Sequence, residues 1–270
     1  MDPILERNLE MLAKNDAFEI SNTFFICPSG QITPLKINPY AIHKDGTSIE
    51  LSIYSFSKFI SSKIRNAEYD VITGEESSLL FSMNLAKIMI KPHTILHKNL
   101  ETLGADLNQK RIIHISYVNS DGFMMENYWA PLIKSKNGKL GAVFFYIDNM
   151  ETGEKIGKNL NIFSNSFLQM NQESISYLAE TKKISSEQFN ILLEYLADRK
   201  QWTKKMLNGK KGLNYLKELI ESTDKENQDK ALNFISRDFY NIKKELKVSL
   251  KKMGCNISDY IQTFKFPLHY

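Results

Sequence analysis

Between Tyr69 and Asp148, short apolar runs alternate three times with stretches whose apolar residues recur at helical spacing. Tyr69-Asp70-Val71-Ile72-Thr73 is one such run, ending at Gly74, and Ser77 to Met89 then reads as a helix. Arg111 to Ile115 is the second run; Asn119-Ser120-Asp121-Gly122 interrupts it, and a helical stretch follows through Trp129 to Lys134. Leu140 to Ile147 is the third. Continuous apolar strands separated by helices predict a parallel sheet covered on both faces. Such sheets bind ligands at the carboxyl ends of their strands, which directs attention to the loops after Thr73 and Val118. The stretch from Leu100 to Lys110 reads as a flexible insert.

The flanks extend this core. Residues 2–15 form an amphipathic helix capped by Asp2, with Pro3 in its first turn and Ile4, Leu5, Leu9 and Leu12 on one face. Thr23 to Cys27 and Thr33 to Asn38 predict a β-hairpin turning at Pro28-Ser29-Gly30. Thr47 or Ser48 is the expected cap of a helix that turns Ile49, Ile53, Phe56, Ile60 and Ile64 inward. A last short strand is expected over Asn159 to Phe163. After Ser164 the strand signal stops, and helices are predicted from Ser185 to about Lys200, Trp202 to Leu207 and Leu213 to Ile220. A long one spans Lys225 to Met253, where Ala231, Phe234, Ile235, Phe239, Ile242, Leu246 and Leu250 recur every three or four residues. The expected division is an α/β domain over 1–170 and an all-α region over 171–270.

Composition adds limits. Charged residues make up 24% and aromatics 11% of 270 residues, a globular balance. No apolar stretch approaches the ~18 residues of a membrane helix, and the start lacks the cationic and apolar segments of a signal peptide. Cys27 and Cys255 show no metal-type spacing and read as free buried thiols of a reducing compartment, so a cytoplasmic protein is expected. From Lys182 onward, 18 Lys and Arg stand against 11 Asp and Glu, leaving 17 against 20 before it. The basic residues are interspersed with acids, and Trp202, Tyr215, Phe234, Phe239 and Tyr240 mostly follow the apolar stripe. Solvated helix faces over a core are expected there, rather than a nucleic-acid platform.

The order of hairpin, helix and core sheet resembles a type I phosphoribosyltransferase of the orotate branch. Phe24-Phe25-Ile26-Cys27-Pro28-Ser29-Gly30, with Thr33-Pro34 and Asn38, is similar to that branch's opening hairpin. Asp70-Val71-Ile72-Thr73-Gly74-Glu75 matches its first core strand and pyrophosphate loop, and Ile112 to Met124 occupies the place of the phosphoribosyl pyrophosphate motif. Trp129-Ala130-Pro131 and Val143 to Asp148 continue the likeness, which covers roughly residues 10–165. The resemblance implies the family's parallel sheet with flanking helices and a hairpin hood, a homodimer, and a phosphorylated-sugar or nucleotide ligand held by Lys36, Gly74, Glu75, Asn119, Ser120, Asp121, Gly122 and Phe123.

The same alignment departs from the family where chemistry is done. Ser116 and Tyr117 stand in place of the two acids that hold the ribose hydroxyls and support Mg²⁺. Asp121 puts a carboxylate where a phosphate dianion would sit, and Phe123 and Met124 replace small or hydroxylic residues. In the place of the catalytic loop, His97 to Gly104 keeps Lys98 and Gly104 but has Glu101 for the catalytic lysine and Leu103 for the histidine. After Gly74 the chain has Glu75-Glu76-Ser77-Ser78 where the family supplies cations. Pro28 replaces a lysine, and Lys36-Ile37 replaces the aromatic pair that flanks orotate.

Catalysis needs charge placed where the transition state develops it, so the expectation is a phosphoribosyltransferase-like protein without catalysis, a pseudoenzyme that binds a ligand or partner. The alternative is an active orotate or other base phosphoribosyltransferase of nucleotide synthesis with a rewired site. It would use Lys36, Lys98 (the sole catalytic candidate) and Lys110 or Arg111 as cations, with Mg²⁺ required only in that case. A second alternative makes the basic helical tail a protein-interaction module. His43, His93, His97, His114 and His269 make no metal spacing, and His114 reads as a hydrogen-bonded core residue. No metal, cofactor, membrane or nucleic acid is expected.

Overall fold

The computed structural model describes residues 1–149, 153–238 and 240–261; Phe239, Pro267 and His269 lie outside them. Two compact units emerge, Met1–Glu19 with Ile37–Ile184, and Ile20–Lys36 with Ser185–Tyr270. This differs from a division at 170/171. The hairpin groups with the helices, and helix-forming residues just past 170 group with the sheet.

In the first unit, helix α1 (Pro3–Lys14) starts at Asp2, whose carboxylate accepts from the Ile4 N–H at 2.8 Å. Next in the chain come the hairpin strands β1 (Phe18–Ile26) and β2 (Ile32–Ile37), which belong to the second unit over residues 20–36, and then α2 (Gly46–Lys63) of the first. The cap of α2 is Asp45, not Thr47 or Ser48: its carboxylate accepts from the backbone N–H of Ser48 at 2.8 Å and from its hydroxyl at 2.6 Å. A carboxylate can take both donors, whereas Ser48 is itself turned inward against Asn15.

The inward face of α2 also departs from the apolar stripe. Phe56 and Ile60 are buried as expected, but Ile49, Ile53 and Ile64 are only partly buried, and Ser52 and Ser55 go to the core. The reason is a buried hydroxyl that needs partners. Tyr146 donates to Asn8 at 2.7 Å and contacts Ser52 at 3.1 Å, while Asn8 donates to Ser55.

The sheet is built from β3 (Val71–Glu75), helix α3 (Leu79–Met89), β4 (His93–Leu96), β5 (Thr102–Gly104), β6 (Arg111–Asn119), helix α4 (Ala130–Ser135), β7 (Lys139–Asp148), helix α5 (Gly153–Leu160) and β8 (Phe163–Gln169). Strand order is β5-β4-β3-β6-β7-β8, parallel except for β5, which runs antiparallel to β4. Val71, Ile112, Val143 and Phe145 pack with Trp129, Ile133 and Ile156 in one core layer. Phe81, Tyr117 and Tyr146 form an aromatic cluster with Phe56, with ring centroids 4.6 Å apart for Phe81 and Tyr146.

Two strands differ from the periodicity. Residues 159 and 160 end α5, and β8 starts at Phe163 and continues to Gln169. As an edge strand it is held to β7 by its backbone, so Ser164, Asn165 and Ser166 do not betray it as apolar residues would. The insert after Leu100 contains β5, whose hairpin turn is closed by His97 N–H to Glu101 O and Leu100 N–H to His97 O, both 3.0 Å. Helix α6 (Gln172–Glu180) completes the unit.

In the second unit, α7 (Ser186–Ala197) opens on a reciprocal Ser185–Gln188 capping box, followed by α8 (Arg199–Asn208) and α9 (Lys210–Ile220). The long helix expected from Lys225 to Met253 is two helices, α10 (Lys225–Arg237) and α11 (Lys243–Lys252), with α12 (Ile257–Ile261) beyond. Asp238 takes a left-handed conformation at φ 48°, ending α10, and its carboxylate accepts from the N–H groups of Ile242 and Lys243. The apolar period survives the break: Ala231, Phe234, Ile235, Ile242, Leu246 and Leu250 are all buried. The hairpin packs within this unit, Phe24 edge-on to Tyr215 at 5.2 Å. At its turn Gly30 (φ +90°) lies so close to α10 that a Cβ would stand 3.3 Å from Arg237 Cδ. Among the described residues Cys27 and Cys255 form no disulfide, and both are buried. Among the described residues no helix is long and apolar enough to cross a membrane.

Candidate functional site

Alternation along β3 and β6 puts Thr73, Glu75, His114 and Ser116 on one side of the sheet, because Thr73 pairs with His114 and Gly74 with Ile115 in a parallel register. The polar groups meet there. His114 Nδ1 lies 3.0 Å from Thr73 Oγ1, and Nε2 lies 3.1 Å from Glu75 Oε2. The second pair is close but not aligned as donor and acceptor. Ser116 and Ser77 both donate to Glu75 Oε1, at 2.9 and 3.0 Å. Burial pushes the Glu75 carboxyl up, yet the neighbouring His114 and the Ser116 hydroxyl outweigh it and hold it below the usual glutamate value.

This cluster shows what became of the two positions matched to the family's acids. Ser116 is engaged by Glu75, whereas Tyr117 points to the opposite face, its ring tilted against those of Phe81 and Tyr146 and its hydroxyl unpartnered. These residues do not fit Mg²⁺. The one carboxylate present, Glu75, is turned to His114, Ser116 and Ser77, and a tyrosine ring fills the second position. Among the described residues no three His, Cys, Asp or Glu side chains come together as a metal site.

The loop after β6 satisfies its own donors. Asn119 accepts from the Gly122 N–H at 2.9 Å, and Asp121 from the Phe123 N–H at 3.1 Å. These are the backbone groups through which such a loop would greet a phosphate. Asn119 also donates to the buried Asp148 at 3.2 Å, tying the ends of β6 and β7 together. Ser120 stands half-buried between these residues. Gly122 (φ +79°) packs against Ile156. A π turn over Met125–Trp129 leads into α4, where Pro131 lacks a backbone N–H and leaves the preceding turn free to widen.

The other candidate residues are dispersed. Gly74 lies inside β3, not in a loop, and a side chain there would strike Ser82 of α3; its role in this geometry is close strand–helix approach. Lys98 is exposed at the tip of the β4–β5 turn. Lys36 belongs to the second unit, its ammonium 5.7 Å from the Phe25 ring. Arg111 is engaged by Asp70 through its side chain and backbone N–H, which draws the Asp70 carboxyl down to about 2. His97, just past β4, contacts Glu76 at 2.7 Å. His93 bonds Ser82 at 2.9 Å, and burial lowers its pKa. Sequence reasoning took His114 for a core residue and Glu75 for a loop acid. Their pairing needed the register of β3 against β6; the i, i+2 spacing of His114 and Ser116 was its only sequence trace.

No protein-family model matches the chain, and no curated protein matches it in sequence. Solved structures do match in shape. The chain aligns with UMP synthase of Leishmania donovani at a TM-score of 0.62 and 14% identity, over 71% of this chain and 42% of that protein's length. Orotate phosphoribosyltransferase of Francisella tularensis aligns at 0.52 and 20% identity, covering 69% of this chain and 96% of that one. The enzyme of Aeropyrum pernix gives 0.52 and 16%, with 65% and 99% covered. The fold of this chain is therefore that of the type I phosphoribosyltransferases, a mostly parallel six-stranded sheet flanked by helices, joined here to a C-terminal helical region.

Proposed function

We propose that this chain is a phosphoribosyltransferase-like protein that has lost catalysis and acts by binding a ligand or partner. The observation that carries this reading is the self-closed loop after β6, whose Gly122 and Phe123 N–H groups are taken by Asn119 and Asp121. A phosphate entering there would have to displace two side-chain acceptors and sit beside a carboxylate. At about 4 Å, like charges repel by roughly 4 kcal/mol near a protein surface. The acids Glu75 and Glu76, at and just past the carboxyl end of β3, support the same reading, since leaving-group stabilisation needs cations there. The homodimer implied by the resemblance and the cytoplasmic setting expected from Cys27 and Cys255 belong to this reading.

Calorimetry with phosphoribosyl pyrophosphate and Mg²⁺ tests it. No binding heat up to millimolar ligand is the expected result. Micromolar binding would overturn it and favour the active transferase.

A further inference from the structure

We infer that α11 is a binding surface for the phosphate backbone of duplex nucleic acid. In its ten residues α11 carries five lysines and one acid. At 100° per residue, Lys244, Lys247, Lys251, Lys252 and Val248 fall within an arc of about 140°, with Glu245 at its margin. The four lysines are exposed, and none has an ion-pair or hydrogen-bond partner for its ammonium among the described residues.

The neighbouring α8 carries four cations and no acid and α9 three lysines and one acid, but several cations of the unit's other helices are paired. Lys230 pairs with Glu226 within α10 at 2.6 Å, Lys217 with Glu221 in α9 at 3.8 Å, and Lys205 of α8 with Glu194 of α7 at 2.8 Å. On α11, Lys244/Lys247 and Lys247/Lys251 are instead like-charged neighbours three and four apart, an arrangement that weakens a helix.

The chemistry of the arc selects the partner. Protein interfaces concentrate aromatic residues and arginine and are depleted of lysine. A membrane-surface helix needs bulky apolar residues opposite its cations, and single strands need exposed rings on which bases stack. Among the described residues of this unit, Val248 is the one large hydrophobic side chain that is exposed. What remains is a row of lysines about 12 Å long, suited to sequence-independent contact with successive phosphates.

The test is fluorescence anisotropy of a labelled random-sequence duplex DNA titrated with the full chain. Four phosphate contacts give a salt slope of about −3.6, so affinity should fall about 150-fold from about 50 to about 200 mM salt. The variant with Lys→Gln at 244, 247, 251 and 252 should lose that salt-dependent binding while its melting temperature holds or rises. The matching Lys→Arg variant should keep binding. Absence of binding at low salt, binding unchanged in the Gln variant, or tighter capture by phosphatidylserine vesicles than by the duplex would each overturn the inference.

Discussion

Glu75 is the residue whose environment departs furthest from its sequence position. As an acid following a strand run it looks solvent-facing, yet it is buried beside His114 and bonded by two serines. Its carboxyl is held below the ordinary glutamate value in the folded chain. The unfolded chain therefore takes up the proton first as pH falls. Glu75 contributes fully to stability above the ordinary value, and the contribution is lost as pH drops through the folded one. Denaturant titrations from about pH 7 to about pH 3 should show a shallower acid decline for Glu75→Gln than for the parent. At neutral pH the variant should be about 2 kcal/mol less stable, because the Ser116 and Ser77 hydroxyls lose their charged acceptor. Parallel pH profiles would mean that the pair does not hold β3 to β6. Alternation placed Thr73, His114 and Ser116 on strands correctly. No pattern within either strand says which residues of β3 stand beside which of β6.

Among the elements, the loop after β6 bears most directly on function. Asn119→Ala removes the acceptor of the Gly122 N–H, and Asp121→Ala that of the Phe123 N–H. Asp121→Ala should cost about 1 kcal/mol of stability, the usual worth of such a local cap, and Asn119→Ala about 2 kcal/mol, because it also removes a donor from buried Asp148. On the proposed reading the double variant should also gain measurable affinity for inorganic phosphate by calorimetry, since two inward N–H groups become available and one carboxylate disappears. A double variant that loses stability but still ignores phosphate would place the obstacle elsewhere, at Glu75 or Glu76. The long strands and helices were legible from their periods. The weak elements were not: β5 is three residues long, and β8 is rich in serine and asparagine, so backbone pairing with a neighbour rather than side-chain pattern defines them. The division of the Lys225–Met253 segment was equally hidden. Its apolar period runs unbroken through a turn in which Asp238 and Asn241 are both left-handed.

At the scale of the molecule, residues 20–36 are separated in sequence from the helices with which they form one unit. Cutting the chain after Ile184 should therefore leave a hairpin stripped of its neighbours, exposing Phe24, which now meets Tyr215, and the turn that now meets Arg237. The expected product keeps an α/β circular-dichroism spectrum and aggregates. Replacing residues 20–36 by a short glycine-serine linker in the same truncation should restore solubility. If the first truncation is already soluble and monomeric, the hairpin does not depend on the helices.

The sequence by itself determined the alternation of strands and helices, the parallel sheet and the likeness to phosphoribosyltransferases, because local periodicity and turn chemistry are properties of neighbouring residues. It also exposed the departures at Ser116, Tyr117, Asp121 and Glu101, which are matters of residue type. Tertiary structure alone decided that Glu75 is buried against His114, that Gly74 serves the approach of α3, that Asn119 and Asp121 close their own loop, and that the lysines of α11 stand on a helix separate from α10. Each of these depends on strand register, on the direction a side chain takes once packed, or on a single backbone turn. Such quantities are set by the free energy of the assembled chain and leave no period in the sequence to read.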